Sequence, residues 1–468
     1  MKRKKFLVVA ALLANAAVVV PAQTVALLYN FTNSPDGANP VAGLVLAGGT
    51  LYGTTEHGGS NGVGTVFAVN TDGTGYTVLH RFADQPDGSH PLAGLVLSGG
   101  TLYGATGNGG ASGYGSLFSL NITNGSYAVL HSFNVYSNGV LPNARLALAD
   151  DTLYGTAAGN GYGSPGWGTV FAMNTSGSNY AALYNFTTPK SNGSALTNAD
   201  GEQPDSGVVL AGGTLYGAAY GGGNYGYGTI YSLPTNGTNF TVLHSFSNNP
   251  DGAYPQGGAI VAGGWIYGTT EIGGTNGKGT LYAINTNGTG YQLLHHFATD
   301  GVDGIEPWAN LTAAGGTLYG TTRLGGSYGK GTVFSVGTNG AGYRALYNFT
   351  NSPDGADPEC DLLYASGVLY GTTEQGGSSI WGTVFSLALP ALDINSFYLA
   401  GTNLVINAAN GMSNTTYVVL ASTNLTSPLA AWTPVATNTL SGNGNFTIIA
   451  TNAVNASAPQ LFYRLQAQ

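Results

Sequence analysis

The chain has 468 residues, 76 of them glycine, with 43% hydrophobic and only 7% charged, a profile that fits neither a disordered chain nor a coiled coil. Glycine far above the average of about 7%, together with abundant Tyr and Phe, points to many turns between strands and hence to an all-β fold. Twelve Lys and Arg face 21 Asp and Glu, and four of the twelve (Lys2, Arg3, Lys4, Lys5) stand at the N-terminus, so too few cations remain to neutralise a row of phosphates; this argues against nucleic acid and anionic membranes as partners.

Residues 1–22 read as a secretory signal: a basic start, an apolar run from Phe6 to Val20, and a small-residue site at Val20, Pro21 and Ala22. The run is too short to span a bilayer, and no later segment approaches the necessary length. We expect a secreted or cell-surface bacterial protein. Cys360 stands alone, so no intrachain disulfide framework is expected.

From Thr24 the chain repeats itself. LYGTTEHGGSNGVGTVFAVN begins at Leu51, and its copies place the tyrosine at 52, 103, 154, 216, 267, 319 and 370. A period near 50 with four short strand candidates per unit is the range of propeller blades. Written as GLVL, TLYG, GTVF and YxxLHxF, the units leave complementary ends: the opening Thr24 to Phe31 supplies the fourth strand that the last unit, Asp361 to Leu387, lacks. The expectation is a seven-bladed β-propeller of four-stranded blades over residues 23–390, closed by the N-terminal strand. The Gly of LYG is expected to let neighbouring backbones approach closely.

The stretch DGANPVAGLVLAGGTLYGTTEHGGSNGVGTVFAVNTDGTGY, Asp36 to Tyr76, resembles the GloVer tandem-repeat (choice-of-anchor) family, and the resemblance covers roughly Thr24 to Leu387. It implies a β-propeller of exported bacterial proteins with no activity assigned to the repeat. Such proteins often end in a sorting tail; no PEP-type sorting motif with membrane span and basic tail is seen here. Residues 391–468 turn to Asn, Thr, Ala and Ser, with STNL at Ser422, WTPV at Trp432 and FYRL at Phe462. They resemble C-terminal β-rich modules of secreted bacterial proteins, and a small β-sandwich is expected.

His80, His131, His244 and His295 share a repeat position with Tyr29, Tyr184 and Tyr347, so that position needs a flat ring with a polar tip, a structural role. His57, His90 and His296 break the repeat without metal-ligand spacing. Asp36, Asp87, Asp200, Asp251, Asp303 and Asp354, with Asn138 in the remaining unit, begin DGxxP turns. One carboxylate per loop falls short of the oxygens Ca²⁺ requires, so no cofactor and no metal are expected. The glycine-rich loops carry no phosphate-binding signature, and no nucleophile elbow occurs. Glu56, Glu271 and Glu374 recur at one position and read as loop residues.

Two sets of residues stand out as ligand candidates. In the GG loops, the residue just before the final glycine is aromatic at Tyr114, Trp167, Tyr227 and Trp381, a set of faces for stacking sugar rings. At the mouth of the inner strands the repeat is broken by Asp205, Gln256, Trp308 and Glu359, where other units have Val41 or Leu92, and by Asn310 and Asp361, where most have Gly. The insertion from Thr187 to Gln203 belongs to the same rim. The expected function is non-catalytic binding of a glycan or surface protein by a monomer. A carbohydrate-active enzyme using Glu359 with Asp361 or Asp205 is the alternative, and a purely structural surface protein a third reading.

Overall fold

The structure is a computed structural model that describes residues 23, 25–134, 139–159, 167–191, 196–390, 393–411, 416–424, 432–440, 444–453 and 462–467. The expected leader, Thr24, Asn138 and part of the insertion lie outside the described residues. Every regular element among the described residues is a β-strand.

Within a unit the strands follow from local chemistry. In the second unit they are Val96–Ser98, Thr101–Thr106, Ser116–Asn121 and Tyr127–Ser132, paired in that order and antiparallel. Gly99 and Gly100 connect the first two with φ of 55° and 76°, the double positive φ that a tight hairpin with the correct twist demands. The third strand is buried along nearly its whole length because a neighbouring sheet covers each face.

Among the described residues there are seven such four-stranded sheets. In the seventh, Val25–Asn30 pairs antiparallel with Thr383–Ala388, at the opposite end of the repeat. The sheets pack face to face, and each buried cluster draws on two successive sheets. Val66 and Phe82 of the first unit, for example, meet Leu102 and Phe118 of the second. The same holds between last and first, where Tyr370 and Val384 share a cluster with Leu44, Leu51 and Phe67.

The glycine of LYG does something other than admit a neighbouring backbone. A Cβ on Gly53 would lie 2.6 Å from the ring of Phe67, its partner on the adjacent strand. The aromatic ring lies across the bare glycine, so the space is filled by a side chain.

The DG turns and the polar rings form one device. Tyr29 donates to Asp36 at 2.8 Å, His80 meets Asp87 at 3.0 Å, His244 meets Asp251 at 2.9 Å, and Tyr347 donates to Asp354 at 2.7 Å. Tyr29, His80 and His244 also stack on an aromatic of the next unit, as His80 does on Tyr127 with centroids 3.7 Å apart. His and Tyr interchange here because both offer a flat face for stacking and one donor for a carboxylate. Gly37 follows Asp36 with φ 125°, and a Cβ there would meet the Thr55 hydroxyl, so the turn requires glycine twice over.

Beyond the repeat, Asp393–Ala400, Asn403–Gly411 and Gly444–Ala450 form one sheet, and Thr433–Thr439, Thr416–Ser422 and Phe462–Ala467 another. Leu404 and Ile448 from the first share a buried cluster with Val419 and Tyr463 from the second.

Two measurements check this account. Phe31, fully buried beside Phe67, should cost about 3–5 kcal/mol on replacement by Ala, read by denaturant unfolding; a loss below about 1 kcal/mol would contradict the packing between the first strand and the first unit. For Asp251, burial raises the carboxyl, but hydrogen bonds from His244 and Ser247 and the His244 charge outweigh it and hold the group below its ordinary 3.8. A depressed native value stabilises the fold above the unfolded value and loses that contribution as pH falls through the native one. Asp251→Asn should therefore lower stability by about 1–3 kcal/mol at neutral pH, with the gap to the parent narrowing in acid below about pH 3.8.

Candidate functional site

The chain segment that leads into each inner strand positions the site. In every unit the residue before proline has a left-handed backbone although none is glycine: Asn39, His90, Leu141, Gln203, Tyr254, Glu306 and Asp357 have φ between 53° and 58°. Each donates its N–H to the GG loop of the preceding unit, as Tyr254 does to the Tyr227 carbonyl at 2.9 Å. Each also accepts, through its carbonyl, from the residue after the second strand of its own unit, as Tyr254 does from Glu271 N–H at 2.9 Å. In four units the same carbonyl accepts from the residue two further on (Leu92, Asn143, Asp205 and Gln256), closing a three-residue turn. Proline is its central residue, with a ring that fixes the φ this turn needs.

The consequence is that the residue after the proline faces inward. Val41, Leu92, Asn143, Asp205, Gln256, Trp308 and Glu359, one from each unit, line a single cavity of about 280 Å³. Asn310 and Asp361 line it too, so all six residues that break the repeat at the inner strands meet there. Asn143 and Arg145 are additional polar lining residues. Beneath lies a larger space of about 900 Å³, walled mainly by Leu, Val and Ile of the inner strands and sharing Arg145, Asn310 and Asp361 with the upper cavity.

The lining residues differ in what they are free to do. Asp361 accepts from the Asn310 backbone N–H at 2.9 Å and from its amide at 3.0 Å, clasping the neighbouring unit. Arg323 reaches Glu306 at 3.2 Å, and its Nε lies 2.8 Å from Glu359, an ion-pair contact without the alignment of a hydrogen bond. The same guanidinium lies over the Trp308 ring, 4.4 Å from its centroid. Burial, then the neighbouring Glu374, push the Glu359 carboxyl up to about 8 against the pull of Arg323. Burial pushes Asp205 up to about 6. The indole N–H of Trp308 and the amide oxygen of Asn143 are buried without a hydrogen-bond partner among the described residues.

The second candidate set behaves differently. Tyr114, Trp167, Tyr227 and Trp381 are half-buried and pack against the clusters between sheets, while their carbonyls receive the inter-unit hydrogen bonds. They help to close the seams, with part of each ring covered. Among the described residues, the exposed aromatics of these loops are instead Tyr225 and Tyr328. The glutamates read as loop residues also take part in the mouth: Glu271 accepts from Tyr220 at 3.2 Å, and Glu374 adjoins Glu359. Cys360 is buried, accepts from the Thr372 N–H at 3.0 Å and has its thiol pushed up to about 11, mainly by burial. Among the described residues no group of three His, Cys, Asp or Glu is arranged to hold a metal ion, and no helix is long and apolar enough to cross a membrane.

Fold and site define an all-β repeat protein with one polar cavity built jointly by its units. The chain belongs to the Gloeobacter/Verrucomicrobia repeat family, whose profile matches residues 17–202, 142–301 and 193–385. No curated protein sequence matches it. Among solved structures, an oligogalacturonate lyase from Vibrio parahaemolyticus is similar at 9% identity and a TM-score of 0.47, over 79% of this chain and 94% of that one. TolB from Acinetobacter baumannii is similar at 12% identity and a TM-score of 0.35, over 59% of this chain and 58% of that one.

The carboxyl pair at the mouth generates a pH prediction. An acid whose native value is raised stabilises the fold while protonated, and that contribution is lost as pH rises from the unfolded value to the native one. Between pH 4.5 and about 8 the parent should lose stability relative to Glu359→Gln. Melting curves across that window check it; parallel curves would contradict the placement of Glu359 beside Glu374.

Proposed function

We propose that the chain is an exported, closed seven-bladed propeller followed by a small β-sandwich, and that it binds a glycan through the cavity at the mouth of the inner strands without cleaving it. One observation carries this reading: the six residues that break the repeat at the inner strands converge on one cavity. A ligand lacking sevenfold symmetry requires such departures. Planar amides, carboxylates and an indole are side chains suited to hydroxyl-rich rings. The pairing of Val25–Asn30 with the last unit supports closure, because it leaves neither end of the repeat unpaired.

Enzymatic cleavage is the second reading, favoured by Glu359, whose raised carboxyl has the character of a general acid near neutral pH. Retention on a polysaccharide panel, with released sugar measured alongside, separates the two. The binding reading expects retention without release, and Trp308→Ala should weaken it by about tenfold or more, the effect of losing one well-used contact. Trp167→Ala and Trp381→Ala should lower the melting temperature and leave retention on folded protein unchanged. Release of sugar that Glu359→Gln abolishes would favour the enzyme, and retention insensitive to Trp308 would place the site elsewhere.

A further inference from the structure

At the position two residues after the DG aspartate, six units carry Ala38, Ser89, Val140, Ala253, Ile305 and Ala356. The fourth carries Glu202. Its side chain is only 7% exposed, and its Oε2 finds no hydrogen-bond partner among the described residues. A buried acceptor left unsatisfied bears its whole desolvation cost, so a carboxylate at a position where the other units carry Ala, Val, Ile or a hydrogen-bonded Ser needs an explanation that the repeat does not supply.

Its surroundings provide one. Glu202 acts electrostatically on Tyr254, and Asp205, which lines the cavity, acts on Tyr220. The Tyr220 and Tyr254 rings are stacked with centroids 4.7 Å apart, and the Tyr220 hydroxyl donates to Glu271 at 3.2 Å. No hydrogen bond reaches the Asp205 carboxylate among the described residues. Two carboxylates thus lie beside a pair of aromatic rings, and neither has a cation as partner. Of the two guanidiniums at the mouth, Arg323 is engaged by Glu306 and Glu359, and Arg145, which lines the cavity, makes no ion pair with Glu202 or Asp205 among the described residues.

We propose that the corner formed by Glu202, Asp205, Tyr220, Tyr254 and Glu271 receives the ammonium group of an amine-bearing sugar. This rests on the reading that the cavity takes a glycan and names the class of glycan. Burial raises Glu202 to about 7 and Asp205 to about 6, and a cation beside them favours their ionised form, which only accepts hydrogen bonds. A sugar hydroxyl both donates and accepts, whereas an ammonium offers three donors and a positive charge. Aromatic faces beside carboxylates suit such a cation. An anionic sugar would instead bring its charge against this group of carboxylates.

The test is calorimetric titration of the full chain with three β-1,4 tetrasaccharides of equal length: glucose, N-acetylglucosamine and glucosamine, the last at a pH where its amines are charged. The glucosamine tetramer should bind about tenfold tighter than the other two, as one charge-assisted hydrogen bond provides. The advantage should shrink at high salt, which screens it, and vanish in Glu202→Gln/Asp205→Asn. Should the double variant fail to fold, Asp205→Asn alone must remove at least part of the preference. Equal binding of all three overturns the amine assignment and leaves glycan binding standing; binding of none overturns both. Calcium chloride titrated alone is the remaining arm: heat that the double variant abolishes, together with loss of glucosamine binding in calcium, would make the corner a metal site and overturn the proposal.

Discussion

Everything that gives this molecule a site depends on one strained residue per unit. The residue before each proline adopts a left-handed backbone, although proline pushes its predecessor toward extended conformations and L-residues avoid positive φ. It is held there by two hydrogen bonds, one to the preceding sheet's loop and one to its own sheet. Such conformations cost roughly 1–3 kcal/mol each and persist only where the surroundings impose them. Here the surroundings are the seam itself. The bonds that join sheet to sheet are the same bonds that turn the following side chain into the cavity.

Packing and site therefore divide the sequence between them. Residues whose side chains serve the DG turn and the packing between sheets vary little from unit to unit: the Asp of the turn, the Tyr or His that meets it, the Phe or Tyr that covers a glycine. Residues that face the cavity are free of that duty, since an inward side chain touches no adjoining sheet core. That freedom is why Val41 and Leu92 share one mouth with Asp205, Gln256, Trp308 and Glu359. It also explains the electrostatics. With carboxylates gathered on units four to seven and Arg323 among them, burial raises Asp205, and burial together with the like charge of Glu374 raises Glu359.

Much of this was legible in the sequence, and the failures have physical causes. The period and the four strand types follow from turns and alternation, and the six departures at the inner strands were visible because regular neighbours surround them. The aromatic residues of the GG loops misled, since a loop position reveals residue type and not whether a ring lies over its own sheet. Tyr114 and Trp381 lie there because their loops fold back along the seam. The left-handed residues were invisible, because Asn, His, Leu, Gln, Tyr, Glu and Asp share no side-chain chemistry; only the backbone is repeated. Glu202 escaped for another reason: although Asp200 sets it in register with Ala38 and Ala253, it was counted with the insertion from Thr187 to Gln203. The pairing of His80 with Asp87 was foreseen as a polar tip, but its partner depends on contact across a turn.

The central claim is that departures from the repeat mark the ligand, and the most direct measurement is a crystal structure of the chain grown with the oligosaccharide it retains most tightly. The account predicts density for a sugar ring in the cavity, in contact with Trp308 and within hydrogen-bonding distance of Asp205 or Asn143. Sugar bound instead along the outer strands or on the C-terminal sheets, with the cavity holding only water, would contradict it.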